Sequence, residues 1–164
     1  MSARSRRSLL AAAAAALLSA CASPLRSPPP GSTDGFWQGR IAIQVLGAQA
    51  DSFSGDFELS GQAHQGELAL YSPLGTTVAR MEWTPGSARL ISGGRETSYP
   101  SLAELALRGT GVALPLAALF DWLEGRPTPA EGWEVDLSAH AEGRIHARRS
   151  TPLPPVELRV LLSR

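Results

Sequence analysis

Lysine is absent from this chain of 164 residues, and its 15 basic residues other than histidine are all arginine. The absence excludes every site that needs a lysine amine, including a P-loop, a Schiff base and a Ser–Lys catalytic pair. The arginines do not form a basic tract for nucleic acid either. Three of the 15 lie within the first seven residues, and the 12 that remain face 15 acidic residues, for a net charge of −3. No nucleic-acid partner is therefore expected.

Cysteine and histidine, which supply most transition-metal and nucleophilic sites, are also scarce. The chain has one cysteine and three histidines, and His140 and His146 stand apart from any cysteine or Glu-x-x-His pattern. It contains no Gly-x-Ser-x-Gly nucleophile motif, and its acidic residues are spread singly. Gly109-Thr110-Gly111 lies between two predicted helices, where a dinucleotide-binding loop does not occur. The sequence predicts a protein that is not an enzyme and that uses no metal or cofactor.

Residues 1–20 have the three parts of an export signal. A basic start containing Arg6 and Arg7 precedes the apolar run 9–18, which is too short to span a bilayer stably. The following Leu18-Ser19-Ala20-Cys21 resembles a bacterial lipobox, which implies cleavage before Cys21 and acylation of that cysteine. This accounts for an unpaired cysteine in an exported chain, and two or more acyl chains anchor a protein stably. The paired arginines leave the general secretory and the twin-arginine export routes both open.

The segment 21–35 is rich in proline and serine, with three consecutive prolines at 28–30. Such a composition is typical of a stiff, solvated tether. Lipoproteins retained in the inner membrane often carry aspartate directly after the lipidated cysteine, and this chain has Ala22, so the analogy favours the periplasmic face of the outer membrane. We therefore expect a signal peptide at 1–20, a lipidated tether at 21–35 and one domain at 36–164.

The domain begins with a pattern of period two, which indicates antiparallel strands joined by short turns. The period then changes: Ser101-Leu102-Ala103-Glu104 matches a capping box and predicts a helix to about Arg108, and residues 114–125 predict a second helix with Pro115 in its first turn. Further strand patterns follow at 133–137, 143–148 and 156–162. The sequence therefore predicts about nine strands that curl toward a barrel, with two short helices between them.

Two short helices are a small cover for the apolar face of so many strands. Barrels of about eight strands lie between a filled core and a ligand cavity. The periodicity does not decide between the two, but a cavity in this domain would hold an apolar ligand. The inward-facing candidates from the strands are Ile41, Ile43, Phe53, Phe57, Leu68, Leu70, Met81 and Leu158.

The connector Ser72-Pro73-Leu74-Gly75 separates two strand patterns at 68–71 and 77–83. Serine, proline and glycine are turn residues, each for its own reason, whereas leucine is not. One interpretation is that Leu74 folds back under the turn. The other is that it is displayed in order to enter an apolar phase.

Several motifs, in this order along the chain, resemble the LolB family of outer-membrane lipoprotein receptors. The first is the lipobox, followed by Gly39-Arg40-Ile41-Ala42-Ile43. The run from Leu68 through Ser72-Pro73-Leu74-Gly75 to Arg80 resembles the central motif of the family. Residues 114–125, with Leu114-Pro115 at the start and Trp122-Leu123-Glu124-Gly125 at the end, resemble its Leu-Pro…Trp-Leu-x-Gly helix.

The resemblance implies an α+β fold in which an unclosed antiparallel β-barrel, or half-barrel, has short helices as a lid over a hydrophobic cavity. Family members accept lipoproteins from the periplasmic carrier LolA and insert their acyl chains into the outer membrane, and the leucine that aligns with Leu74 is tied to insertion. We expect the insertion loop at Pro73, Leu74 and Gly75, and a monomer whose partners are LolA, the acyl chains and outer-membrane lipid. The expected cavity lining is Ile41, Ile43, Phe53, Phe57, Leu68, Leu70, Met81, Leu119 and Phe120. The alternative is an envelope lipoprotein that binds lipid or has a structural role without transferring cargo.

Overall fold

A computed structural model describes residues 35–47 and 52–163, which form nine antiparallel strands and two α-helices. The predicted signal peptide, Cys21 and most of the tether lie outside these residues. The strands are β1 (Gly35–Val45), β2 (Ser52–Gln62), β3 (Gln65–Tyr71), β4 (Thr77–Thr84), β5 (Ser87–Ser92), β6 (Arg95–Tyr99), β7 (Trp133–Asp136), β8 (Arg144–Arg149) and β9 (Val156–Leu162). Their order in the single sheet is β6-β5-β4-β3-β2-β1-β9-β8-β7, with β6 and β7 at its two edges. The barrel is therefore unclosed, as predicted.

The predicted alternation places the apolar side chains on one face of the sheet. Ile43 of β1 pairs with Phe53 on one side and with Leu158 on the other, so the three share a face. The same register continues outward through Phe57 paired with Leu70. The opposite face carries cross-strand ion pairs, all of them at least partly exposed. One apolar and one polar face are what a half-barrel requires.

Strand β1 begins five residues earlier than the alternation from Arg40 predicted, because Gly39 allows the strand to pass close to its neighbour. Gly39 has φ +155°, and a Cβ atom there would lie 2.0 Å from the carbonyl oxygen of Leu161. Only glycine fits this approach. The extension brings Trp37 onto the apolar face, opposite Leu59.

Helix α1 spans Leu102–Thr110, two residues longer than predicted. The Ser101 side chain accepts a hydrogen bond from the Glu104 N–H at 3.1 Å, as the capping box predicted. The helix runs two residues past the predicted end at about Arg108, because Gly109 remains helical. The helix ends instead at Gly111, whose φ of 71° lets its N–H bond the Leu107 carbonyl.

Helix α2 spans Leu116–Leu123 and is shorter than the predicted 114–125. Pro115 is the residue before the helix and not part of its first turn, with φ −81° and ψ 70°. Among the described residues, no helix has the length and apolar character needed to cross a membrane.

The core shows that the sheet curls around α2. Its buried residues come from strands near both edges of the sheet, such as Ala88 of β5 and Ala147 of β8, and from both helices. Trp122 of α2 is completely buried at the centre. The fold is therefore α+β, an open half-barrel with two short helices on its concave face.

Candidate functional site

The connector between β3 and β4 is a tight loop held by its own backbone. The Gly75 N–H donates to the Ser72 carbonyl at 2.8 Å, which closes a β-turn with Pro73 at its second position. The Ser72 N–H donates to the Thr76 carbonyl at 2.9 Å, and the Thr76 N–H reaches the Ser72 hydroxyl at 3.3 Å. The loop thus has a defined shape that does not depend on the side chain at position 74.

Leu74 projects from the tip of this loop into solvent. Its exposed fraction is 93%, the highest among the large apolar side chains of the described residues. The interpretation in which Leu74 folds back under the turn is therefore wrong. Gly75 has φ +78° with open space around it, so a side chain there would strain the turn without meeting a neighbour.

The nine side chains predicted to line a cavity lie on the concave side of the half-barrel. Phe57 and Phe120 belong to the buried core, and six others pack against it while remaining partly exposed. Those six are Ile41, Ile43, Leu68, Leu70, Met81 and Leu119. Phe53 shares the face through its pairing with Ile43 but is not part of that cluster.

Phe120 joins α2 to the concave face through aromatic contacts that the sequence alone did not predict. Its ring meets Trp37 edge-on at 5.7 Å between centroids, and Trp83 at 6.3 Å. Trp37 was missed because the first strand was predicted to begin at Arg40. The signal was present, since the alternation of Ile41 and Ile43 continues backward through Gly39 to Trp37.

Phe57 and Phe120 are buried in the interior, and two surface clefts of the described residues lie away from them. One cleft, of about 600 Å³, opens beside Gly61 and Gly66. The other, of about 440 Å³, lies near Arg40 and Arg159. None of the nine predicted lining residues borders either cleft. Because Phe57 and Phe120 are buried, an acyl chain that reached them would have to displace side chains or move a helix.

The two ends of α2 are held by different contacts, and the segment before its N-terminal end is held at the Ala113 carbonyl, which accepts from the Arg149 guanidinium at 3.3 Å. At its C-terminal end, Asp121 accepts hydrogen bonds from the Thr128 hydroxyl at 2.7 Å and from the Arg126 guanidinium. Together these donors, with Thr128 the larger cause, hold the pKa of Asp121 below its ordinary value. The buried Trp122 indole donates to the Thr128 carbonyl at 2.9 Å. The N-terminal end at Pro115 has no side-chain cap.

Two of the three histidines have partners in the structure. A ring nitrogen of His140 lies 3.1 Å from the Leu123 carbonyl, and His146 lies 2.7 Å from Glu157. Arg159 and then His146 lower the pKa of the Glu157 carboxyl. Within residues 35–47 and 52–163, no three His, Cys, Asp or Glu side chains are grouped as metal ligands.

Comparisons with known proteins identify the family. The family model "Outer membrane lipoprotein LolB" matches residues 36–151. An outer-membrane lipoprotein LolB of Cupriavidus pinatubonensis is 36% identical over 149 residues, which cover 87% of this chain and 71% of the relative. A LolB of Cupriavidus necator is 31% identical over 193 residues, covering 97% and 96% of the two chains, and one of Halorhodospira halophila is 39% identical over 108 residues, covering 65% and 51%. The chain belongs to the LolB family of outer-membrane lipoproteins.

Proposed function

We propose that this protein accepts lipoproteins from the periplasmic carrier LolA and inserts their acyl chains into the outer membrane, to which Cys21 anchors it. The observation that carries the proposal is the 93% exposure of Leu74 on a fixed loop of an open half-barrel. An exposed leucine in a fixed position gains free energy only by leaving water. The protein itself offers it no apolar contact, whereas a bilayer does.

The concave face is the site proposed for the acyl chains. Leu70 is the second-last residue of β3, next to the loop 72–76, and it is only partly buried. Phe53 lies at the start of β2 at the same end of the sheet and is also partly exposed. Partly exposed apolar side chains of the sheet therefore lie beside the loop that carries Leu74, so a chain leaving the barrel there would emerge next to the loop.

Helix α2 is the element proposed to move. Its C-terminal end is fixed through Asp121 and Trp122, whereas the helix has no side-chain cap at its N-terminal end and is held there through the preceding Ala113 carbonyl, which accepts from Arg149. Leu119 and Phe120 would separate from the sheet if the N-terminal end swung outward about the fixed end. That motion opens space along Leu68, Leu70 and Met81 without breaking the polar contacts of Asp121.

The transfer needs no nucleotide, because each step can run downhill. The cargo leaves the carrier if the concave face binds its acyl chains more tightly. It then leaves for the bilayer, where burial is more complete, at about 0.8 kcal/mol for each CH₂ group removed from water. The protein would provide a path between two apolar environments and no covalent chemistry.

The test is to reconstitute the full-length lipidated protein in proteoliposomes and add a carrier–lipoprotein complex. We expect the cargo to leave the carrier and to become integral to the bilayer, measured as resistance to alkaline extraction after flotation. Liposomes without the protein are the control. Cargo that stays on the carrier contradicts the proposal, and cargo that remains extractable while bound to the protein supports a lipid-binding role without transfer.

A further inference from the structure

A second exposed leucine, Leu153, lies at the same end of the sheet as Leu74. Strand β1 ends at Val45, which pairs with Val156, the first residue of β9. Beside it, Ile43 pairs with Phe53 near the start of β2. Because β2 and β9 both begin at this end and β3 returns to it, the loop 150–155 between β8 and β9 and the loop 72–76 leave the sheet on the same side.

The two loops resemble each other in sequence and in what they display. One contains Ser72-Pro73-Leu74 and the other Thr151-Pro152-Leu153, and neither 72–76 nor 150–155 contains a charged residue. Leu153 is 79% exposed, second only to Leu74 among the large apolar side chains of residues 35–47 and 52–163. Leu153 lies beyond the residues that the family model matches, which end at 151.

The loop 150–155 is held in place at its base. Arg149 is 95% buried, where its guanidinium lies 5.8 Å from the centre of the Trp133 ring. It donates to the Pro154 carbonyl at 3.2 Å and to the Ala113 carbonyl at 3.3 Å. The Leu46 N–H donates to the Pro155 carbonyl at 2.8 Å. A buried cation directed at backbone carbonyls fixes the loop, so the exposure of Leu153 is a feature of the fold.

We infer that loop 150–155 is a second membrane contact, in which Leu153 enters the bilayer together with Leu74. This inference rests on the proposed function. It adds an orientation to it, because one inserted leucine leaves the domain free to tilt and two define an axis.

A lipid bilayer fits these two points better than a protein surface does. Four strand spacings, roughly 19 Å, separate the two loops across the sheet, and their bases are offset by about 17 Å along the strands, because Tyr71 is level with Arg40 and Val156 with Val45. A protein partner is usually met by a contiguous apolar patch, whereas a bilayer accepts isolated apolar side chains wherever they reach it. The absence of charge in both loops removes the cost of bringing ionised groups to the membrane.

The length of chain before β1 allows this orientation. Gly35, where β1 begins, is at the opposite end of the sheet from the two leucines, and it follows Cys21 by 14 residues. Fourteen residues reach at most about 50 Å when fully extended, and the 11 residues of β1 span about 36 Å. An anchor at Cys21 can therefore remain in the same bilayer that Leu74 and Leu153 contact.

The test uses an environment-sensitive fluorophore on a single introduced cysteine in the full-length lipidated protein, with the native Cys21 acylated. The variants are Leu74→Cys, Leu153→Cys and, as a matched control, Leu161→Cys, which labels an exposed leucine near the other end of β9. Each is reconstituted in vesicles of phosphatidylethanolamine and phosphatidylglycerol, with and without brominated acyl chains. We expect the probes at 74 and 153 to shift to the blue and to lose at least half of their emission to brominated lipid, and the probe at 161 to do neither.

The outcomes separate this inference from the function on which it rests. Quenching at 74 but not at 153 overturns the second contact and leaves the proposed insertion loop intact. Quenching at neither position contradicts both. A probe at 153 that responds to added carrier and not to brominated lipid overturns the inference in favour of a protein-docking loop. Equal quenching at 161 also overturns it, because the contact would then not be specific to this end of the sheet.

Discussion

The replacement Leu74→Glu tests the insertion step without disturbing the fold. Leu74 is 93% exposed, and the loop hydrogen bonds around it are backbone-to-backbone or come from Ser72. Substitutions at such surface positions change the free energy of unfolding by about 0.5 kcal/mol or less. We therefore expect unchanged thermal unfolding and unchanged removal of cargo from the carrier.

Delivery to the bilayer should slow substantially in the same variant. Almost the whole leucine side chain is available to leave water, and its burial is worth about 1.5–3 kcal/mol. If that free energy stabilises the transition state for insertion, losing it slows delivery about 10- to 150-fold. An ionised glutamate adds a further cost that grows with depth in the membrane. Delivery should therefore slow by at least this factor.

The assay follows fluorescent cargo from carrier to proteoliposomes and separates receptor-bound from bilayer-integrated cargo by alkaline extraction. The matched control is Leu161→Glu, which makes the same chemical change at a leucine that is 51% exposed on the polar face. Delivery by Leu74→Glu at the rate of the unchanged protein would refute the insertion role. Equal slowing by Leu161→Glu would show that added negative charge, and not the loop, is responsible.

Two further predictions concern the scaffold that positions the site. Gly39→Ala should strongly lower the midpoint of urea unfolding, because its Cβ would lie 2.0 Å from the Leu161 carbonyl oxygen. The control Gly47→Ala, at a similar φ but with nothing within 4 Å, should lower that midpoint less. Equal losses in the two variants would contradict the steric reason. Asp121→Asn should lower the free energy of unfolding at neutral pH, because Thr128 depresses the pKa of the Asp121 carboxyl below its ordinary value of 3.8. Such a carboxyl stabilises the fold above its ordinary pKa and loses that contribution as the pH falls through the lowered value. The stabilities of the two proteins should therefore converge in acid, and a difference that persists there would contradict this role of Asp121.

The sheet was predictable from the sequence because a period of two fixes which side chains share a face. Leu158 was expected to point inward from the alternation of the last strand, and it is buried beside Ile43. The helix limits were less predictable, since Gly109 stays helical and Pro115 precedes α2. Glycine and proline restrict what the backbone does locally, but tertiary packing chooses among the conformations that remain.

The sequence by itself determined the family, the nine strands, the apolar face and the unusual position of Leu74. It could not determine whether Leu74 folds back, because that depends on the space beneath the turn after the backbone bonds of residues 72–76 have formed. It also gave no prediction for Leu153, which lies between the strand patterns at 143–148 and 156–162. Only the tertiary structure placed Leu153 at the same end as Leu74, because the exposure of a loop side chain depends on what the rest of the fold brings near it. Here that is the buried Arg149, which holds the base of the loop and leaves the leucine in solvent.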